Sequence, residues 1–116
     1  MKLYKFTGEN GRTYNGYHWS LPTKNADGTW TPGEWTAPIE GKLEPCANGY
    51  HVTDAKHVFA WLAEEMYEVE VKGRKVADEE KDKWVVRQAR LLRRVEGYND
   101  KALRLFAVWC AREAFL

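Results

Sequence analysis

The chain has 116 residues, the length of one domain, and a chain of this size buries roughly two-thirds of its unfolded surface. Hydrophobic residues make up 44% and aromatic residues 14% of the chain, which excludes a disordered tail. The longest apolar run is the seven residues Leu105–Ala111, far fewer than the roughly 20 that a membrane helix needs. Eighteen basic and seventeen acidic side chains leave no global field that would attract nucleic acid or a membrane.

The first half of the chain is predicted to consist of strands and turns, because all four prolines and seven of the nine glycines precede residue 54. A first strand is expected around Leu3–Phe6, followed by a tight turn at Asn10-Gly11. A returning strand is predicted at Thr13–Trp19, followed by a long loop or loose hairpin at Ser20–Gly33. Two short extended segments are predicted after it, at Gly41–Cys46 and Gly49–Thr53.

The second half adds a helical period. Thr53 or Asp54 would cap a short helix with one apolar stripe, formed by Ala55, Val58, Phe59, Leu62 and Met66. Tyr67–Val71 then alternates with period two and predicts a half-buried strand that ends at Gly73. The acidic segment Val76–Asp82 is expected to be a loop.

The last third of the chain leaves two questions open. Trp84–Val95 fits both an amphipathic helix and one face of a strand. After it, Asn99 or Asp100 would cap a final helix that runs through Phe115 and is apolar nearly all round. Such a helix is either the central core helix or a surface that contacts a partner.

Possible metal ligands lie close together in one short segment. Cys46, His51, Asp54 and His57 fall within twelve residues, but their spacing fits no zinc pattern, so we predict no metal and no cofactor. A Cys46–His51 nucleophile and base would lack an orienting third group. With no secretory signal at the N-terminus, Cys46 and Cys110 are expected to be reduced thiols of a cytoplasmic protein.

Aromatic residues in the loop-rich half could bind a ligand by stacking. Trp19, Trp30 and Trp35 lie in a region where binding residues often occur. The alternative is that they provide core area, which is the chief use of tryptophan in a small domain.

Charge is segregated along the chain. Glu64–Asp82 carries a net charge of −4, and Lys83–Leu116 carries +5. The basic segment contains four closely spaced arginines, Arg87, Arg90, Arg93 and Arg94. They could bind phosphates of a nucleic acid or an anionic protein, or they could pair with the acidic segment.

Glu68 and Glu70 stand two residues apart and therefore share one face of the predicted strand. Paired carboxylates can divide the roles of acid and base when their environments differ. The alternative is that they form the solvated side of a strand whose inner side is Tyr67, Val69 and Val71.

One part of the sequence resembles a known group of proteins. The pattern Leu43-x-x-Cys46-x-x-Gly49-aromatic-His51, followed by Tyr67–Val71 and Gly73, resembles small uncharacterised proteins of bacteriophages and actinobacteria. The resemblance covers about residues 40 to 116, with a weaker match at residues 3–6. It implies a strand for Trp84–Val95 and a phage-type accessory role.

A second likeness is to the ADP-ribosyltransferase fold, in which a strand ending Gly-Tyr-x-x-Thr leads into a helix and then a strand of alternating residues. Gly49-Tyr50-x-x-Thr53 and the strand with Glu68 and Glu70 follow that order. The likeness implies an enzyme, or a degenerate one, that takes a nicotinamide dinucleotide at a site formed by Tyr50, His51, Thr53, Glu68 and Glu70.

Together these patterns predict one α+β domain, residues 1–116, with a small, mostly antiparallel sheet, a short central helix and an apolar C-terminal helix packed on it. The predicted function is that of a phage-type accessory protein in the host cytoplasm, which binds a host protein or a copy of itself. The expected contact residues are Arg87, Arg90, Arg93, Arg94, Trp109 and Phe115. His51, Glu68 and Glu70 are the catalytic candidates of the alternative, and nucleic-acid binding through Arg87–Arg94 is a third possibility.

Overall fold

The computed structural model describes residues 2–13, 17–45, 48–54, 63–77 and 83–98, together with residues 105 and 112. Six strands occur in this part of the chain, together with one turn of 3-10 helix at Glu9–Gly11. The strands are β1 (Leu3–Thr7), β2 (Thr23–Lys24), β3 (Trp30–Thr31), β4 (Tyr50–Asp54), β5 (Glu65–Ala77) and β6 (Trp84–Arg94).

Four of the strands form a closed barrel in the spatial order β1-β4-β6-β5, with β5 returning to β1. Every pairing in the barrel is antiparallel. The remaining strands, β2 and β3, pair with each other as a short separate hairpin. Closure gives each barrel strand a neighbour on both edges for part of its length.

The predicted α+β class is wrong. The described residues are mostly strand, form a closed four-stranded barrel and contain no helix of seven or more residues. The helical stripe assigned to residues 55–66 fails at its last position, because Met66 lies in β5 opposite Phe6 of β1. Residues 55–62 and nearly all of the predicted final helix lie outside the described residues, apart from Leu105 and Arg112, whose backbone is helical.

The hairpin predicted around Asn10-Gly11 is also wrong. Asn10 and Gly11 do turn the chain, with φ angles of 58° and 78°, but β1 pairs with β4 and β5 and not with the described part of the segment that follows the turn, residues 12–13 and 17–19. A tight turn brings two segments close, and here the better-matched partners of β1 come from distant parts of the chain. The loop predicted at Val76–Asp82 is wrong at its first two residues, because Val76 and Ala77 belong to β5, and residues 78–82 lie outside the described residues.

The open question at residues 84–95 is resolved in favour of a strand. In a regular strand every second side chain lies on the same face, so Arg87 and Arg93 would share the inner face with buried Ala89 and Leu91. The register with β5 shifts at Leu92 and again at Gly73, whose φ is 83°. Each bulge changes which face the following residues occupy.

Among the described residues, the barrel core is a cluster of buried side chains: Leu3, Trp19, Val52, Tyr67, Val69, Val86, Ala89 and Leu91. Val85 is equally buried but is not part of that cluster. Its Cγ1 lies against Gly49, which Leu43 Cδ2 also approaches. β6 therefore packs on both faces at this point.

An extended segment, residues 33–39, covers the edge of β6 that lies beyond its pairing with β4. Three backbone N–H groups of this segment, which we call the strap, donate to β6 carbonyl oxygens: Gly33 to Leu91, Thr36 to Ala89 and Ile39 to Arg87, at 2.8–2.9 Å. Trp35 of the strap is held against the barrel by two cations, with Lys72 Nζ 4.0 Å and Arg90 Cζ 4.7 Å from its ring centre.

Candidate ligand cleft

The wall of the barrel opens between β1 and β4. Only two residue pairs join these strands, Leu3 with Asp54 and Tyr4 with Thr53. Beyond them, β1 continues along β5 and β4 continues along β6, so the two strands diverge. The gap is a cleft of about 960 Å³. Its described lining is Tyr4, Lys5, Phe6, Thr7, Gly8, Arg12, Thr13, Tyr17, Trp19, Ile39, Asn48, Gly49, Tyr50, His51, Val52, Thr53, Ala63 and Lys83.

Three aromatic rings form one side of the cleft. Tyr17, Trp19 and Tyr50 contact one another with ring centres 5.5–5.8 Å apart, and Trp19 is almost completely buried. The hydroxyl of Tyr50 donates to the carbonyl oxygen of Ala37 in the strap, at 2.7 Å. Burial, together with the hydrogen bond to Tyr50, raises the pKa of Tyr17 to about 12. The aromatic side is therefore held by contacts within the protein and keeps the Tyr17 hydroxyl neutral.

Lys5 places a cation inside the cleft. Because side chains alternate along a strand, Lys5 lies on the same face of β1 as buried Leu3 and Thr7. Its Nζ is 5.6 Å from the ring centre of Trp19. Burial, and next to it the charge of Lys83, lower the pKa of Lys5 to about 8. Among the described residues, no carboxylate pairs with this ammonium group.

The charged side chains in the described lining of the cleft are all basic. Arg12, His51 and Lys83 contribute basic side chains, and Thr53 a buried hydroxyl. The described residues that line the cleft include no aspartate or glutamate. An ammonium group in an apolar site is costly unless an anion accompanies it. The arrangement therefore suits a ligand that brings a negative charge.

The predicted enzyme site is divided between two places. Tyr50, His51 and Thr53 line the cleft, as β4 runs along its edge. Glu68 and Glu70 lie outside it, where they pair with the arginines of β6. The five residues that the ADP-ribosyltransferase likeness groups together are thus not brought to one site.

The arginines of β6 pair with the acidic segment. Arg93 Nε lies 2.8 Å from Glu68 Oε2, and Arg90 lies 2.8 Å from Glu70 Oε1. The register shift at Leu92 makes this possible, because it places Arg90 and Arg93 opposite Glu70 and Glu68. The alternative in which the basic segment pairs with the acidic segment is therefore confirmed for these two pairs.

The other two arginines are also engaged. Arg94 lies 3.7 Å from the buried carboxylate of Glu65, and Arg87 donates to the carbonyl oxygen of Ile39 in the strap. Because all four arginines already contact groups of the protein, they form a poorer phosphate-binding surface than the sequence alone indicated.

Several predicted residues lie outside the described part of the chain. They are Cys46, His57, Trp109, Cys110 and Phe115. Within the described ranges, no three histidine, cysteine, aspartate or glutamate side chains come close enough to hold a metal ion. A search of the same residues for a helix long and apolar enough to cross a membrane finds none.

The central residue of the cleft was missed by sequence reasoning. The sequence predicts Trp19 as a possible stacking residue, and Trp19 does line the cleft, but no sequence pattern singles out Lys5. The available signal was the alternation Leu3-x-Lys5-x-Thr7, which puts a lysine on the same face as an apolar residue. The sequence alone does not say which face of β1 turns inward.

Comparisons with protein-family models, curated protein sequences and solved structures find no match for this chain. The class of protein is therefore defined by its own fold and site: a small antiparallel β-barrel with a basic, aromatic-walled cleft in its side.

Proposed function

We propose that this protein acts by binding, and that the cleft between β1 and β4 takes a small organic anion with a flat apolar part. The observation that carries the proposal is the Lys5 ammonium, which faces the cleft beside Trp19 without a carboxylate partner among the described residues. An anionic group of the ligand would supply the missing counter-charge.

The size and the walls of the cleft support the same ligand class. Its volume of about 960 Å³ lies at the upper end of the range, roughly 300–1,000 Å³, that is usual for small-molecule sites. Tyr17 is partly exposed, and its ring, together with the neighbouring ring of Tyr50, offers a surface against which a flat group can pack. Lys5 and the neighbouring Lys83 would then orient the anionic end of the ligand.

A pair of fluorescent probes tests the proposal. Anilinonaphthalene sulfonate is flat and anionic, and N-phenylnaphthylamine has the same rings without the charge. We expect wild type to bind the anionic probe, and Lys5→Met to weaken that binding at least fivefold while binding of the neutral probe is unchanged or stronger. Lys2→Met is the matched control, since Lys2 immediately precedes β1 and its side chain is 67% exposed.

Two results would count against this function. One is equal binding of the anionic probe by wild type and Lys5→Met, which would show that the Lys5 charge plays no part. The other is an equal loss in Lys2→Met, which would indicate a general effect of surface charge. Unfolding temperatures measured on all three proteins ensure that the probe reports on folded molecules.

Self-association is a second candidate, in line with the expectation that the C-terminal segment contacts a host protein or a second copy. It is favoured by Leu105, which has helical backbone and a side chain 61% exposed. The phage-type role rests on the resemblance alone.

Self-association is tested by measuring the mass in solution by light scattering: we expect a dimer in wild type and a folded monomer in Leu105→Asp. A wild-type monomer at high concentration would remove this candidate.

A further inference from the structure

Lys5 differs from the exposed lysines of this protein in what surrounds its amine. Its side chain lies on the inner face of β1 and reaches the cleft, with the Trp19 ring 5.6 Å from Nζ. Lys2, three residues earlier, is exposed and lies 4.0 Å from the carboxylate of Glu68. No described carboxylate approaches Lys5 in this way. No described carboxylate therefore fixes the proton on its amine.

The surroundings of Lys5 favour the neutral amine, which is the nucleophilic form. Burial disfavours the charged amine, and a second cation, Lys83, is near enough to destabilise the Lys5 charge. With the pKa lowered to about 8, roughly half of the Lys5 side chains are neutral at pH 8, against well under 1% for an ordinary lysine. Apolar burial and a neighbouring cation are the features that activate lysine nucleophiles.

We propose that Lys5 binds its ligand covalently, by forming a reversible imine with an aldehyde or ketone that also carries an anionic group. The inference rests on the proposed function, since the anionic group is what directs the ligand to this cleft. The lone pair of Lys5 Nζ adds to the carbonyl carbon. The C–O bond then breaks as the C=N bond forms, and the carbonyl oxygen leaves as water with both amine hydrogens. No oxidant or reductant takes part.

Reductive trapping tests this inference. The full-length protein is treated at pH 8 with a limiting amount of 4-carboxybenzaldehyde and cyanoborohydride, and the labelled lysines are identified by mass spectrometry of peptides cut at glutamate. We expect Lys5 to be labelled at least ten times faster than Lys2, the internal control three residues away. Labelling of Lys5 no faster than Lys2 would overturn the inference.

Two variants separate this inference from the proposed function. Lys5→Arg keeps a cation in the cleft but has no amine that forms an imine, so it should retain the anionic probe and lose the fast labelling. Lys5→Met should lose both. If Lys5→Arg and wild type bind the anionic probe equally well but neither is labelled in the cleft, the imine inference is wrong and the proposed binding function stands. If unsubstituted benzaldehyde labels Lys5 as fast as the carboxylated aldehyde, the amine is reactive but the anionic ligand class is wrong.

Discussion

Thr36 and Ala89 are 53 residues apart in the chain and bond to each other twice. The backbone N–H of Thr36 donates to the Ala89 carbonyl oxygen at 2.8 Å, and the Ala89 N–H donates to Thr36 Oγ1 at 3.0 Å. Both residues are buried. The threonine side chain thus completes a strand-like pairing between the strap and β6, at a point where β6 has no barrel neighbour on that edge.

Replacing Thr36 by valine should destabilise the protein by about 1–3 kcal/mol, because the buried Ala89 N–H loses its acceptor while the side-chain shape is kept. Unfolding in denaturant measures the loss, and hydrogen exchange should show faster exchange at the Ala89 amide. Thr23→Val, on the exposed strand β2, is the control and should change little. An equal, small effect of both substitutions would mean that the side-chain hydrogen bond contributes nothing.

Gly49→Ala should be one of the more damaging small substitutions in this chain. Gly49 has a φ of 135°, and an added Cβ would lie 2.2 Å from Cγ1 of the buried Val85. The comparison is Gly28→Ala, at a φ of 90° with no atom within 4 Å of the new Cβ. Both carry the strain of a positive φ, about 1–2 kcal/mol, and only Gly49→Ala adds overpacking of about 1–3 kcal/mol. Equal unfolding temperatures for the two variants would contradict the predicted clash.

Glu65 should be replaceable by glutamine but not by alanine. Its buried Oε1 accepts hydrogen bonds from the Tyr67 hydroxyl at 2.7 Å and from the Gly11 N–H at 3.2 Å. Alanine leaves both buried donors unpaired, which costs about 2–4 kcal/mol, whereas glutamine keeps an acceptor. The long pair with Arg94, at 3.7 Å, adds about 1 kcal/mol or less. Denaturant unfolding of the two variants is the measurement, and an equal loss in both would show that the charge matters more than the hydrogen bonds.

The free energy of unfolding should rise between pH 8 and about pH 9.5. The pKa of Lys5 is about 8 in the folded protein and near 10.5 in the unfolded chain, so in this range the unfolded chain binds the extra proton. We expect a gain of about 1–2 kcal/mol, which is absent in Lys5→Met and present in Lys2→Met. The raised pKa values of Tyr17 and Tyr67 oppose the gain only above about pH 10, where the unfolded tyrosines ionise. A wild-type curve parallel to that of Lys5→Met would contradict the lowered pKa.

Local patterns predicted some of the elements but not the way they join. The period-two alternation of Tyr67–Val71 correctly indicated a strand, and the turn residues of Ser20–Gly33 correctly indicated a loop or loose hairpin. The same reasoning failed at Met66, where a helical stripe was extended into what is the start of β5. An apolar residue at the junction of two segments fits both periods, and only its pairing with Phe6 decides between them.

The candidate site could be predicted only in part. His51 and Trp19 were singled out from the sequence and do line the cleft, whereas Glu68 and Glu70 were candidates that lie elsewhere. Lys5 was missed because its importance comes from its neighbours. Trp19 and Lys83 follow it by 14 and 78 positions in the chain, and no local pattern relates residues that far apart.

Features that depend on near neighbours could be predicted from the sequence: the extended conformation of Tyr67–Val71, the turn at Asn10-Gly11 and the segregation of charge. The tertiary structure alone decided the closure of the barrel, the inward face of β1, the covering of β6 by the strap and the pairing of Glu68 with Arg93. The physical reason is that alternation and turn chemistry act over a few residues. Strand pairing and burial, in contrast, depend on which distant segments compete for the same edge.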